Sequence, residues 1–170
     1  MYRWLILLWL FFSLTSCGFH LRGPISLDPP LDRLYLKTAD PYGQLARNLR
    51  DYLAMSGTPF VDSESEASAT LQILREDKTE QLINVSSTQQ TRQYNLILTV
   101  TFQVLASSGK IILHPESLSE TRAFTTLSDQ ILGGTNEQSL LIQQMREAIV
   151  YDIMDRLASR DVTHRLAGAQ

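Results

Sequence analysis

The sequence predicts an α+β fold: a two-layer sandwich with two helices packed on one face of a mixed four-stranded sheet. A helical pattern follows a short strand near residue 40, a second lies near the C-terminus, and alternating apolar residues fill the stretch between them. Of the 170 residues, 44% are hydrophobic and 19% are charged. These values are typical of one globular domain and exclude collagen-like or largely disordered chains.

Residues 1–16 have the pattern of a secretory signal peptide. Arg3 is followed by the apolar run WLILLWLFF and then by small polar residues. The run is shorter than the ~20 residues that a membrane-spanning helix needs. The alternative is a buried helix of the fold, but such helices are seldom apolar on every face.

The single cysteine, Cys17, follows this segment directly. The exit Leu14-Thr15-Ser16-Cys17 resembles the lipobox of bacterial lipoproteins. The resemblance implies cleavage before Cys17, a diacylglyceryl group on its thiol and acylation of the new amine. Gly18 after the cysteine implies, by the same resemblance, transfer to the outer membrane. A free or buried thiol is the alternative reading.

The first part of the mature chain is rich in proline, and we expect residues 17–32 to form a lipidated extended tether. Leu34-Tyr35-Leu36 predicts a short strand. Asp40-Pro41 predicts the N-cap and first residue of a helix that runs to about Ser56 and is ended by Gly57. A strand–helix–strand order favours a parallel crossover.

Between Thr70 and Phe124 the apolar residues alternate, which predicts long antiparallel strands. Residues 71–85 mark one strand or a bent pair, and the clearest alternating row covers residues 94–104. Ser107–Lys110 predicts a hairpin turn, followed by a return strand interrupted at His114-Pro115. The face opposite the apolar row carries Thr, Gln and Asn between Ile residues, which suits it to being covered by a partner.

The second helix is predicted by a capping box, Thr135 followed by Gln138, and by an apolar stripe that ends at Leu157. We expect a single domain over residues 33–160 and a frayed C-terminal tail over residues 161–170.

No catalytic motif is present, so the sequence predicts no enzyme, no metal and no cofactor. The net charge of −3 leaves no basic footprint for nucleic acid. The strongest alternative is an outer-membrane lipoprotein enzyme with Glu76 and Asp77 as an acid–base pair. Solvated surface carboxylates explain these two residues more simply.

Two basic residues near the long hairpin, Lys78 and Arg92, are candidate lipopolysaccharide contacts. If they lie at one end of the sheet, both could bind lipid phosphates by charge-assisted hydrogen bonds. Solvated surface charges are the alternative.

The mature start Cys17-Gly18-Phe19-His20-Leu21-Arg22 resembles the LptE family of lipopolysaccharide-assembly lipoproteins. The resemblance continues through Asp40-Pro41, the strand segment YNLILTV and the helix start Asn136-Glu137-Gln138. It implies two helices on a four-stranded mixed sheet and a lipid anchor on the periplasmic side of the outer membrane. It further implies that the protein plugs the LptD β-barrel, helps LptD assemble and binds lipopolysaccharide. A periplasmic adaptor that does not bind lipopolysaccharide remains the other reading.

Overall fold

The computed structural model describes residues 25, 27, 29, 31–87, 91–127 and 131–168. Four strands form one sheet in chain order: β1 (Leu34–Lys37), β2 (Ala69–Val85), β3 (Thr91–Ala106) and β4 (Ile111–Leu127). The helices are α1 (Gln44–Met55), α2 (Ile131–Leu157) and α3 (Arg160–Ala167). β1 pairs in parallel with β2, and the other pairs are antiparallel, so the predicted α+β fold with a mixed four-stranded sheet is confirmed. The signal peptide, Cys17 and residues 18–24 lie outside the described residues.

The core lies between β3 and the helices. From Leu96 to Val104 every second residue of β3 is fully buried, and each such side chain contributes ~1.5–3 kcal/mol relative to an exposed one. Leu49 and Leu53 of α1 and Ile149 and Ile153 of α2 cover this row. The apolar face of β3, which has a period of two, therefore packs against the apolar stripes of α1 and α2, which have helical spacing, and together they form one apolar layer.

The pairing register separates two faces of the sheet. Val100 of β3 lies between Glu76 and Leu118, and Arg146 of α2 reaches Glu76 at 2.7 Å, so this is the helix-covered face. We call the opposite side the open face. On β3 and β4 it includes Thr91, Gln93, Asn95, Ile97, Thr99, Thr101, Gln103, Leu105, Ser117, Ser119, Thr121, Ala123, Thr125 and Leu127.

The sheet has two ends, which we call proximal and distal. At the proximal end the backbone N–H of Ser68 donates to the Arg33 carbonyl at 2.8 Å, and that of Ser107 donates to the Ser68 carbonyl at 3.2 Å. The predicted β3–β4 turn closes here, with Gly109 at φ 81°, a conformation that side-chain-bearing residues rarely adopt. The distal end carries the β2–β3 connection.

The described apolar residues of the expected tether pack into the domain instead of extending from it. Leu27 and Leu31 are only 3% and 1% exposed and belong to the core. The backbone N–H of Ile25 donates to the Tyr52 hydroxyl at 3.0 Å. The sequence did not show this because the apolar residues stand between prolines and match no helix or strand period.

The expected frayed tail over residues 161–170 is wrong for its first part, because α3 occupies Arg160–Ala167. Val162 and Leu166 are fully buried, and Arg165 pairs with Asp161 at 2.8 Å one turn away. Two apolar residues four apart are enough to dock so short a helix, but too few to show a period. Residues 169–170 lie outside the described residues.

Both predicted helix starts differ from the observed ones. α1 begins at Gln44, because Asp40 first forms a turn in which its carbonyl accepts a hydrogen bond from the Gly43 N–H at 3.3 Å. α2 begins at Ile131, so Thr135 lies inside the helix and does not cap it. Extending an already packed helix avoids the nucleation cost, so the chain does not stop at the first favourable cap.

β2 and β4 are each one continuous strand with bulges. In β4 the ladder steps from the pair Val104–Leu113 to Phe102–Glu116, so the interruption expected at His114-Pro115 is a local irregularity within the strand. An edge strand tolerates proline because one side of its backbone makes no ladder hydrogen bonds.

Candidate functional site

The open face is neutral over β3 and β4, and two pairs of hydroxyl groups in its middle are hydrogen-bonded to each other. Thr99 and Ser119 share a hydrogen bond of 2.8 Å, as do Thr101 and Ser117. Groups that are already hydrogen-bonded lose little when water is removed. No helix or strand of the described part of the chain packs on this side. A partner can therefore cover this part of the sheet without burying an unpaired charge.

On β2 the open face carries one oppositely charged pair. Arg75 forms an ion pair with Asp77, two residues along the same strand. Beside it, the Gln103 side-chain amide donates to Gln72 at 2.9 Å. The open face is therefore polar without a net charge.

Lys78 lies on the helix-covered face. Its ammonium is 3.4 Å from Glu80, and the side chain is 45% exposed. It lines a cleft of about 640 Å³ between the start of α1, β2 and α2, which the Arg146–Glu76 ion pair also borders. Lys78 is therefore accessible, but part of its charge is already balanced by a neighbour.

Arg92 lies on the same face near the distal end, opposite Val85 and Thr126. Lys78 pairs with Leu98, six residues from Arg92 along β3, which corresponds to about 20 Å. The structure does not bring the two candidates together, so the condition that both lie at one end of the sheet is not met. The separation follows from the strand register, which the sequence did not determine.

Exposed apolar side chains lie near Arg92 on the helix-covered face, a feature that sequence reasoning missed. Val85 pairs directly with Arg92 and is 39% exposed, and Leu82, which is 51% exposed, pairs with Tyr94 two residues along β3. Scattered exposed apolar residues are common, but a group beside one cation forms an amphipathic surface. The only sequence signal was the apolar run at the end of β2.

The suggested acid–base pair is not assembled. Glu76 and Asp77 are consecutive in β2, so their side chains point to opposite faces of the sheet. Each carboxylate is held in its own ion pair, with Arg146 and Arg75 respectively. Within the described ranges, no group of three or more His, Cys, Asp or Glu residues could hold a metal ion. No described helix is both long and apolar enough to cross a membrane.

Comparison with known proteins agrees with this geometry. The family model of LptE, described as lipopolysaccharide-assembly, matches residues 31–157. The chain belongs to the LptE family. It is 31% identical over 157 residues to the LPS-assembly lipoprotein LptE of Pectobacterium atrosepticum, covering 89% of this chain and 84% of the relative. It is 28% identical over 133 residues to that of Photorhabdus laumondii, covering 78% and 72%.

Solved structures share the fold. The rare lipoprotein B of Shewanella oneidensis has a TM-score of 0.68 at 23% identity, covering 78% of this chain and 98% of that one. The lipoprotein B of Nitrosomonas europaea has a TM-score of 0.69 at 20% identity, covering 86% and 96%. This LptE-family chain is a lipoprotein of lipopolysaccharide assembly, and the LptE family is not a known enzyme family.

Proposed function

We propose that this protein, anchored through lipids on Cys17 to the periplasmic side of the outer membrane, plugs the LptD β-barrel, aids its assembly and binds lipopolysaccharide during its insertion into the outer leaflet. The open face is the observation that carries the proposal. The interior of a large outer-membrane barrel is polar, and a neutral surface of paired hydroxyls and amides can be covered there at little cost.

Affinity purification of the lipidated protein from outer membranes tests the barrel partnership. We expect a large β-barrel to be recovered in equal stoichiometry under mild detergent. Recovery of this protein alone would contradict the plug role. Mass spectrometry of the same sample reports the Cys17 modification independently.

A variant of the open face tests which surface is covered. Ile97 is half-buried in the middle of this face, and Ile97→Arg places an unpaired charge there. We expect barrel recovery to fall at least about tenfold, because burying an unpaired charge costs more than 1.4 kcal/mol. Ile97→Thr and the exposed helix variant Ala54→Arg are the controls and should retain the barrel.

Lys78 and Arg92 remain proposed lipopolysaccharide contacts, acting at separate points because of their spacing. Arg92 combines an exposed charge with neighbouring apolar groups, which matches a lipid that has both phosphate and acyl parts. We expect Arg92→Glu to lower capture of labelled lipopolysaccharide more than Lys78→Glu, since Glu80 already balances Lys78. Arg47→Glu on α1 is the matched control.

The same assay separates the alternatives. Unchanged capture in both variants would favour a protein adaptor that does not bind lipopolysaccharide. For the enzyme reading, Glu76→Gln with Asp77→Asn should abolish growth support, and normal growth would exclude these two carboxylates as catalysts.

A further inference from the structure

The first residue that the structure describes, Ile25, stands close in sequence to the expected lipid anchor. Ile25 is fixed by its hydrogen bond to Tyr52, and it stands only eight positions after Cys17 in the sequence. An extended chain of this length spans at most about 29 Å. If Cys17 is lipidated as proposed, the domain is therefore held near the membrane surface.

The packed segment leads directly to the proximal end of the sheet. Leu31 is buried, Arg33 accepts a hydrogen bond from Ser68, and Ser68 accepts one from Ser107 of the β3–β4 turn. The distal end lies about 50 Å away along the 17 residues of β2. The short link to the lipid therefore favours an arrangement in which the proximal end faces the leaflet.

This end carries a cationic cleft between β4 and α3. The cleft measures about 420 Å³, has no acidic lining residue, and is lined in part by Lys110, His114, His164 and Arg165. Arg165 pairs with Asp161, whereas Lys110 and the two histidines have no ion pair within the described part of the chain. Imidazole and ammonium N–H groups are donors for phosphate oxygens.

An exposed apolar side chain lies in the same cleft. Ile111 follows Lys110 directly, is 43% exposed, and sits beside buried Ile112. An apolar group next to cationic ones matches the boundary between lipid headgroups and acyl chains. A basic residue near an anionic leaflet is attracted within about one Debye length.

We propose that the proximal end lies against the leaflet that holds the lipid anchor, and that the cleft between β4 and α3 binds the phosphate headgroup of an anionic phospholipid. The inference rests on lipidation at Cys17 but not on the barrel partnership. It concerns the lipidated protein in a bilayer without the barrel.

The test uses a fluorophore on a single introduced thiol, since the thiol of Cys17 is expected to be blocked by lipid. Ser108→Cys reports on the proximal turn and Ser87→Cys on the distal connection, and both positions are exposed. The lipidated protein, verified by mass spectrometry, is reconstituted into vesicles of phosphatidylglycerol or phosphatidylcholine that contain a headgroup-level spin-label quencher. We expect strong quenching at residue 108, stronger in phosphatidylglycerol, and little at residue 87.

Charge variants identify the cleft. Lys110→Glu with His164→Glu should lower the phosphatidylglycerol-dependent quenching at residue 108 by about half or more, because the attraction to anionic lipid becomes repulsion. The control, Arg47→Glu with Arg122→Glu, adds acidic groups away from the proximal end and should leave quenching unchanged. Circular dichroism verifies that each variant is folded.

Three results would overturn the proposal. The first is equal quenching at residues 87 and 108. The second is quenching at residue 108 that is equal in phosphatidylglycerol and phosphatidylcholine, or that is unchanged in the Lys110→Glu, His164→Glu variant. The third is selective loss of quenching with inorganic phosphate but not with chloride of equal ionic strength, which would indicate a site for free phosphate. Failure of barrel recovery would leave this result intact, so the two proposals fail separately.

Discussion

Tyr52 connects the segment before the sheet to the helical layer through a single hydroxyl group. The hydroxyl accepts the Ile25 N–H at 3.0 Å, while the ring packs edge-on against Tyr151 with centroids 6.2 Å apart. Tyr52→Phe keeps the ring and removes the acceptor, leaving a partly buried N–H without its partner. We expect the free energy of unfolding in urea to fall by about 1–2 kcal/mol.

The matched control is Tyr42→Phe, because Tyr42 is 85% exposed. It should change stability by no more than a few tenths of a kcal/mol. Equal stability of the Tyr52 variant and the parent would show that the segment around Ile25 is not held by this bond.

The ion pair between Arg146 and Glu76 joins α2 to β2 at 2.7 Å, with both side chains about one quarter exposed. A double-mutant cycle with Arg146→Met and Glu76→Gln should give a coupling energy of about 1 kcal/mol by urea unfolding. Lys37–Glu64 is the control pair, since its side chains are about half exposed and solvent screens it more. A coupling no larger than that of the control pair would mean that the contact does not help to fix α2 on the sheet.

At the scale of elements, α3 closes the proximal end of the core. Leu166 is fully buried although it lies in the last turn of α3. Leu166→Ala should destabilise the protein by about 2–3 kcal/mol through lost burial and the cavity it leaves. The exposed Arg160→Ala is the control. A negligible effect in thermal or urea unfolding would mean that α3 does not pack stably on the core, as the predicted frayed tail implies.

The elements that could be predicted are those with a repeated signal. Six alternating positions defined β3, and the glycine of the β3–β4 turn, Gly109, adopts the positive φ that such a turn requires. α3 and the buried position of Leu27 could not be predicted. Each is held by only one or two apolar side chains, which give no periodic pattern and pack against residues that are distant in the sequence. α1 starts later than predicted because Asp40 forms a turn before it, and α2 starts earlier because extending a formed helix avoids the nucleation cost.

For the whole molecule, the alternation predicted that the sheet has one apolar and one polar face, but not how candidate residues are placed along it. Register shifts near Leu74 and Ile83 set which residues of β2 lie opposite which residues of β3. Bulges of this kind have weak local signatures. The distance between Lys78 and Arg92 depends on that pairing, and the placement of Lys110 and His164 in one cleft depends on how α3 packs on β4, so both required the structure.

Since the helices cover one side of the sheet, a partner that binds the sheet must bind its open face. A photoreactive residue at Thr99, in the middle of this face, tests most directly whether the barrel covers it. After irradiation of intact cells, we predict a covalent adduct with the large outer-membrane β-barrel. Absence of this adduct, with the variant lipidated and present at normal levels, would contradict the assignment of the open face as the partner-binding surface.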